Sequence, residues 1–313
     1  MNRIFSFFLL GLTISAFGQQ TIKPLVEAKN GMVVSTHPAA SQIGLDILKK
    51  GGNAIDAAVA VNFALAVCHP AAGNIGGGGF LVYRSAKGKA YTLDYREMAP
   101  LAGSRDMYLD STGQVIPGRS FVGIHSVGVP GAVAGMQAMH KRFGKLSWAE
   151  LVQPSIDLAR NGVVLTENEA RGLNRNRADF MRYNPGRAYM VKADSTQWNP
   201  GELFIQTDLA TTLERILAKK SRGFYSGETA DLIVQEMKKQ GGLITHKDLK
   251  SYRAIWRKPL ISQYKQYSVI GMPPPSSGGV AISQLLSLIN PYPFARWGAQ
   301  SDSTIQVMIE AER

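Results

Sequence analysis

Residues 51–80 read GGNAIDAAVAVNFALAVCHPAAGNIGGGGF and predict a buried helix followed by a glycine-rich turn. Asn53, with Asp56 three positions later, has the spacing at which side chains cap a helix N-terminus. Residues 57–67 are then apolar on almost every side, which indicates a helix buried all round. We expect His69-Pro70 to end it, because proline interrupts helical hydrogen bonding.

The glycine run 76–79 leads into a predicted β-hairpin. No Gly-Lys-Ser/Thr follows it, and it precedes a strand instead of a helix N-terminus, so a phosphate-binding loop is disfavoured. Glycines in a row favour a tight turn or close backbone packing. Residues 80–85 and 90–96 then have strand composition around the turn Lys87-Gly88-Lys89.

The rest of the chain predicts helices first and strands later. Capping-box spacing occurs at Ser147 with Glu150 and at Thr166 with Glu169. Ser303 is expected to cap a final helix. The predicted helices are 38–50, 131–143, 209–220, 228–240 and 280–289, and strand chemistry returns at 258–271 with a turn at 264–267. Without repeats or an obvious linker, these elements predict one continuous α+β architecture.

Composition narrows the function classes. The 313 residues suggest about two domains or one large one, and the 45% hydrophobic share excludes wholesale disorder. A single cysteine, Cys68, excludes an intrachain disulfide framework. The net charge is +12, yet the basic residues are dispersed, so we expect no nucleic-acid partner. The densest patch is expected to be a solvated helical face and comprises Arg171, Arg175, Arg177, Arg182 and Arg187.

The first eighteen residues resemble a secretory signal. A short basic start at Asn2-Arg3 precedes an apolar run over 4–14, and Ala16-Phe17-Gly18 offers small residues for cleavage. An uncleaved anchor helix is the alternative, although the run is short for a span of about 20 residues. We therefore expect residues 1–18 to be removed and the protein to be exported, to the periplasm or outside the cell.

Motifs for common chemistries are missing from the sequence, and one arginine stands out. There is no Gly-x-Ser-x-Gly elbow, and no cofactor or metal is expected. Arg96 ends the second hairpin strand, where a guanidinium can grip a small carboxylate with two parallel hydrogen bonds. The alternative is a salt bridge to Asp94 or Glu97. Five histidines lack metal-ligand spacing and are expected to be structural or at the surface: His37, His69, His125, His140 and His246.

Several motifs together resemble the γ-glutamyltranspeptidase (glutathione hydrolase) family. The similarity runs from about residue 31 to residue 313. The segments that carry it are 40–42, 51–58, 69–70, 73–80, 94–100, 241–245, 248–249 and 272–279. The resemblance implies an N-terminal-nucleophile hydrolase with an αββα sandwich, two stacked sheets between helical layers.

The resemblance also implies a chemistry and partners. Such enzymes are precursors that cleave themselves, and the new N-terminal threonine of the small subunit is the nucleophile, with its own amine as base. It attacks the γ-glutamyl amide of glutathione or a related compound, and the acyl group passes to water or to an amino-acid or peptide amine. Arg96 is similar to the family arginine that binds the α-carboxylate of the glutamyl group.

The expected nucleophile does not occur in these 313 residues. Thr211-Thr212 lies inside a helical pattern, so no catalytic residue is assigned. We expect residues 19–313 to be a large-subunit region cut before the small catalytic subunit, and inactive alone. Two alternatives stay open: a related cephalosporin- or glutaryl-type acylase, and a non-catalytic subunit that binds γ-glutamyl compounds.

Overall fold

The computed structural model describes residues 26–184, 190–192, 194 and 196–313. The predicted signal, residues 1–18, lies outside the described residues. Residues 26–32 contain no helix or strand, and residues 33–313 form a unit of their own.

Helices predominate, and short strands interrupt them. In chain order the elements are α1 (Pro38–Lys49), α2 (Ala54–Cys68), β1 (Phe80–Arg84), β2 (Ala90–Asp94), α3 (Ala132–Phe143), α4 (Trp148–Asn161), β3 (Val163–Val164), α5 (Glu167–Arg175), α6 (Arg177–Tyr183), β4 (Leu203–Phe204), α7 (Thr207–Lys219), α8 (Arg222–Tyr225), α9 (Glu228–Gln240), α10 (His246–Ser251), β5 (Ile255–Arg257), β6 (Leu260–Tyr264), β7 (Tyr267–Gly271), α11 (Gly278–Ile289), α12 (Phe294–Trp297) and α13 (Asp302–Glu312).

Helix α2 is the centre of the core, as the sequence predicts. The side chain of Asn53 accepts hydrogen bonds from the amides of Ile55 and Asp56, and the Asp56 carboxylate accepts one from the Asn53 amide. The helix ends at Cys68, directly before His69-Pro70. Burial raises the pKa of the Cys68 thiol to about 11, so the thiol is not ionised at neutral pH. Helices α1, α3 and α4 pack around α2.

The predicted hairpin forms, but its second strand ends earlier than expected. Strand β2 pairs antiparallel with β1 and with β5, giving the order β1-β2-β5. It ends at Asp94 instead of Arg96. The Asp94 carboxylate accepts the Arg96 amide at 3.0 Å, and such a local bond competes with the sheet ladder. Arg96 therefore lies just beyond the end of β2, the central strand of this sheet.

The later elements follow the predicted order, with one wrong cap. The hairpin β6-β7 forms at the expected turn, and α11 packs on it. Helix α13 begins after Ser301, not Ser303, because the Ser301 hydroxyl accepts the Thr304 amide at 3.3 Å. Thr304 is itself buried and donates to the Gly298 carbonyl. The described residues thus contribute helices and separate pieces of sheet, an α+β arrangement.

Removing the Asp56 carboxylate is expected to destabilise this core strongly. Asp56 has no exposed surface and accepts the amides of Asn53, Lys145 and Leu146, which joins α2 to the loop before α4. Asp56→Ala leaves these donors without an acceptor, a loss of about 3 kcal/mol or more in the free energy of unfolding. Urea unfolding measures it. Asp46→Ala, at a half-exposed carboxylate, should change the value by less than about 0.5 kcal/mol; equal losses would refute the role of Asp56.

Candidate functional site

The Arg96 guanidinium is an exposed cation just beyond the end of strand β2. Its side chain is 56% exposed, and its Nε lies 3.3 Å from Oε2 of Glu97. The guanidinium carbon lies 5.5 Å from the centre of the Phe80 ring, a cation–π distance. In the described part of the chain the head group makes no other hydrogen bond. Most of its five N–H donors are therefore free to bind an anion.

Of the two salt-bridge partners that the sequence offered, only Glu97 is used. The Asp94 carboxylate instead accepts Nε and Nη2 of Arg257 at 2.9 and 2.7 Å. Asp94 is nearly buried and Arg257 is one-third exposed. This two-pronged pair joins β2 to β5 and leaves Arg96 without a second carboxylate.

The backbone of Arg96 is held from both sides. Its amide donates to Asp94, and its carbonyl accepts the Tyr252 hydroxyl at 2.7 Å. The Tyr252 ring stacks on Tyr225, with centroids 5.8 Å apart and planes within 4°. Tyr225 donates to the Pro130 carbonyl at 2.8 Å. The backbone of Arg96 is thus held in place, while its exposed side chain is free to move.

Both tyrosine hydroxyls remain protonated donors at neutral pH. Burial raises the pKa of Tyr225. Burial also raises the pKa of Tyr252, and the carboxylates of Asp94 and Glu97 add to this. A negative charge on either oxygen would be poorly solvated. The hydrogen bond to Arg96 therefore does not titrate in the physiological range.

Close backbone packing around Arg96 accounts for the glycine run. A Cβ on Gly78 would lie 2.4 Å from the Tyr95 carbonyl oxygen and 2.8 Å from the Glu97 nitrogen. The carbonyl of Gly77 accepts the amides of Gly131 and Ala132 at 2.7 and 2.9 Å. The expectation of close packing is confirmed for these positions. Gly76 is different, since a Cβ there would meet nothing within 4 Å.

The sequence did not reveal three members of this site: Gly131, Tyr252 and Arg257. Tyr252 is 156 residues from Arg96 in the chain, and Arg257 is 163 residues from Asp94. Gly131 was expected only as the first residue of a helix, and it lies at the N-cap of α3. No local pattern marks such partners, because their role depends on contacts across the fold.

Two of the five histidines and the threonine pair 211–212 make structural contacts. His37 caps α1 through Nδ1 and lies 3.2 Å from Glu169, and His140 bonds the Leu146 carbonyl. Thr211 and Thr212 donate to carbonyls one turn back within α7, as their helical setting predicts. In the described ranges no group of three His, Cys, Asp or Glu side chains could hold a metal ion.

The arginine-rich stretch is mostly exposed on α5 and α6. Arg171 pairs with Glu167 one turn away, and Arg175 and Arg182 are exposed. Arg187 lies outside the described residues. None of the helices described is long and apolar enough to cross a membrane.

Tyr252→Phe is expected to loosen Arg96 without emptying the core. The substitution keeps the stacked ring and removes only the hydroxyl that donates to the Arg96 carbonyl. The free energy of unfolding should fall by about 0.5–1.5 kcal/mol. Urea unfolding checks this, with Tyr267→Phe at an exposed strand position as the matched variant. An unchanged stability would mean that the hydroxyl contributes nothing to holding Arg96.

The fold of the described residues is that of part of an N-terminal-nucleophile hydrolase of the αββα class. The γ-glutamyltranspeptidase family model matches residues 40–313, and the chain belongs to that family. It is 46% identical over 92% of its length to a glutathione hydrolase proenzyme of Pseudomonas sp. strain A14. The chain spans about half the length of the curated relatives that it matches, 50% in that case.

Solved structures agree with this assignment. The γ-glutamyltranspeptidase of Helicobacter pylori superposes with a TM-score of 0.90 at 45% identity, covering 92% of this chain and 83% of that one. A cephalosporin acylase of Bacillus halodurans superposes with a TM-score of 0.83 at 30% identity, covering 97% of this chain and 56% of that one.

Proposed function

We propose that this chain is the substrate-binding large-subunit region, residues 19–313, of an exported γ-glutamyl hydrolase and transferase. The observation that carries the proposal is Arg96, an exposed guanidinium with free N–H donors on a rigidly held backbone. In a family whose relatives include glutathione hydrolases, its ligand is the α-carboxylate of a γ-glutamyl group. A bidentate pair would fix both the position and the orientation of that group.

The reacting threonine belongs to a small catalytic subunit made from the same precursor. Its hydroxyl attacks the γ-carbonyl carbon, its amine takes the proton, and the leaving amine departs with that proton. Water or an amino-acid or peptide amine then attacks the γ-glutamyl ester and restores the threonine. Arg96 holds the far end of the substrate through both steps, which keeps the γ-carbonyl in place.

The assay for this function is release of aniline from a γ-glutamyl anilide by the processed full-length precursor, which contains the small catalytic subunit as well as this chain, with and without a dipeptide acceptor. Without an acceptor, we expect hydrolysis, which gives free glutamate. With the dipeptide, we expect the same dipeptide carrying a γ-glutamyl group on its amine. Glutaryl anilide is the matched substrate, since it keeps the carboxylate and lacks the α-amine. The likeness to a cephalosporin acylase favours an acylase as the second candidate. A higher kcat/KM for glutaryl anilide would support that candidate against ours.

Export is proposed on the sequence of residues 1–18 alone. In an exporting host the mature protein is expected to begin near Gln19 and to collect outside the cytoplasm. N-terminal sequencing of the secreted or periplasmic fraction measures this. Intact Met1 on protein from the cytosolic fraction would contradict it.

A further inference from the structure

Two adjoining depressions on the surface carry positive charge that the γ-glutamyl function does not use. One, of about 420 Å³, is lined by the stacked pair Tyr225 and Tyr252. The other, of about 450 Å³, adjoins it through the shared residues Gln137 and Lys141. Together they form one open surface feature beside the tyrosines that fix the Arg96 backbone.

Five cationic side chains line these depressions, and no aspartate or glutamate does. The set, which we name the cationic groove, comprises Lys141, Lys220, Arg222, Lys250 and Arg253. Hydroxyl groups of Ser221 and Ser226 are also in the lining. Like charges at this density repel each other, since screening is incomplete within a Debye length of about 8 Å.

The cations of the groove have no carboxylate partner in the described part of the chain. In the described residues none of its five cations has an ion pair, whereas nearby Arg215 pairs with Glu228 and Arg160 with Glu214. The Arg253 Nη1 donates to the carbonyls of Lys250 and Tyr252 at 2.8 and 2.7 Å. Its head group is therefore held at the rim, and the remaining donors can face a ligand.

We propose that the cationic groove binds a small phosphate anion with at least two negative charges. A multivalent anion matches five cations spread over two depressions better than one carboxylate does. Arginine forks and serine hydroxyls supply the donors that phosphate oxygens accept. This site is separate from the Arg96 carboxylate site and would take a different ligand.

The test is titration calorimetry of inorganic pyrophosphate into the mature protein at about 0.02 M salt, where screening is weak. Saturable binding is expected, and Lys141→Gln with Arg222→Gln should weaken it by about tenfold or more through loss of two charge-assisted contacts. The control pair, Lys87→Gln with Lys238→Gln, lowers the net charge equally at exposed positions outside the groove. It should leave the affinity within about twofold of the parent.

Three results would overturn the proposal: no saturable binding, an equal loss in both double variants, or binding to phosphatidylglycerol vesicles that pyrophosphate does not displace. The last would mean a lipid headgroup in place of a soluble anion. If the double variant does not fold, Arg222→Gln alone replaces it in the test and should show part of the loss in pyrophosphate affinity. Because no turnover is measured, failure here is distinguishable from failure of the γ-glutamyl function.

Discussion

Arg96→Ala is expected to lower kcat/KM for a γ-glutamyl anilide by about tenfold to a few hundredfold, the loss of a bidentate charge-assisted pair worth about 1.5–3 kcal/mol. Arg96→Lys should recover only part, because an ammonium keeps the charge without the fork. Self-cleavage of the precursor should survive both changes, because its scissile bond carries no α-carboxylate. Steady-state kinetics measure the loss, and a denaturing gel measures processing.

A substrate without the carboxylate makes this test specific. The anilide of 4-aminobutanoic acid is the γ-glutamyl substrate with its α-carboxylate removed. If Arg96 binds that carboxylate, Arg96→Ala should lower kcat/KM for this substrate by less than about twofold, since the interaction is already missing. Arg105→Ala, which removes an exposed arginine paired with its neighbour Asp106, should leave kcat/KM for both substrates unchanged. An equal loss of kcat/KM on both substrates would mean that Arg96 has only a structural role, in its salt bridge with Glu97.

Gly131→Ala is expected to disrupt the site and the fold around it. A Cβ at Gly131 would lie 2.1 Å from both the Tyr252 hydroxyl and the Tyr95 carbonyl oxygen. Backbone cannot yield as a flexible side chain does, so α3 would have to move away from the glycine turn. We expect a loss of about 3 kcal/mol or more in the free energy of unfolding and a fall in kcat/KM, measured by urea unfolding and by the anilide assay.

Two variants separate this steric effect from a general intolerance of substitution. Gly172→Ala, inside α5 with nothing within 4 Å of the added Cβ, should be neutral or stabilising by up to about 1 kcal/mol. Combining Gly131→Ala with Tyr252→Phe removes the clash with the hydroxyl but leaves the ring carbon Cζ at 2.6 Å and the Tyr95 carbonyl, so it should restore only part of the stability. Full stability of Gly131→Ala alone would show that the close approach at Tyr252 and Tyr95 is unimportant.

Local sequence determined the secondary structure around the site. The Asn53–Asp56 capping box, the all-apolar course of α2 and the turn at Lys87-Gly88-Lys89 each depend on residues within a few positions of one another. Helix capping and hydrophobic periodicity involve residues only a few positions apart, so they can be recognised from the sequence without a structure. The error at Ser303 has the same origin, because Ser301 and Ser303 are equally good caps until Thr304 is buried against Gly298.

The amino-acid sequence by itself determined the class of fold and the order of the elements, and it singled out Arg96 as the candidate binding residue. Only the tertiary structure decided which carboxylate Arg96 meets, because Asp94 is taken by Arg257 from a strand 163 residues away. It also brought Tyr252 to the Arg96 carbonyl and gathered the cationic groove from helices α3, α8 and α10 and their flanking residues. Such partners are set by how buried elements pack, and packing joins residues whose separation along the chain carries no periodic signal.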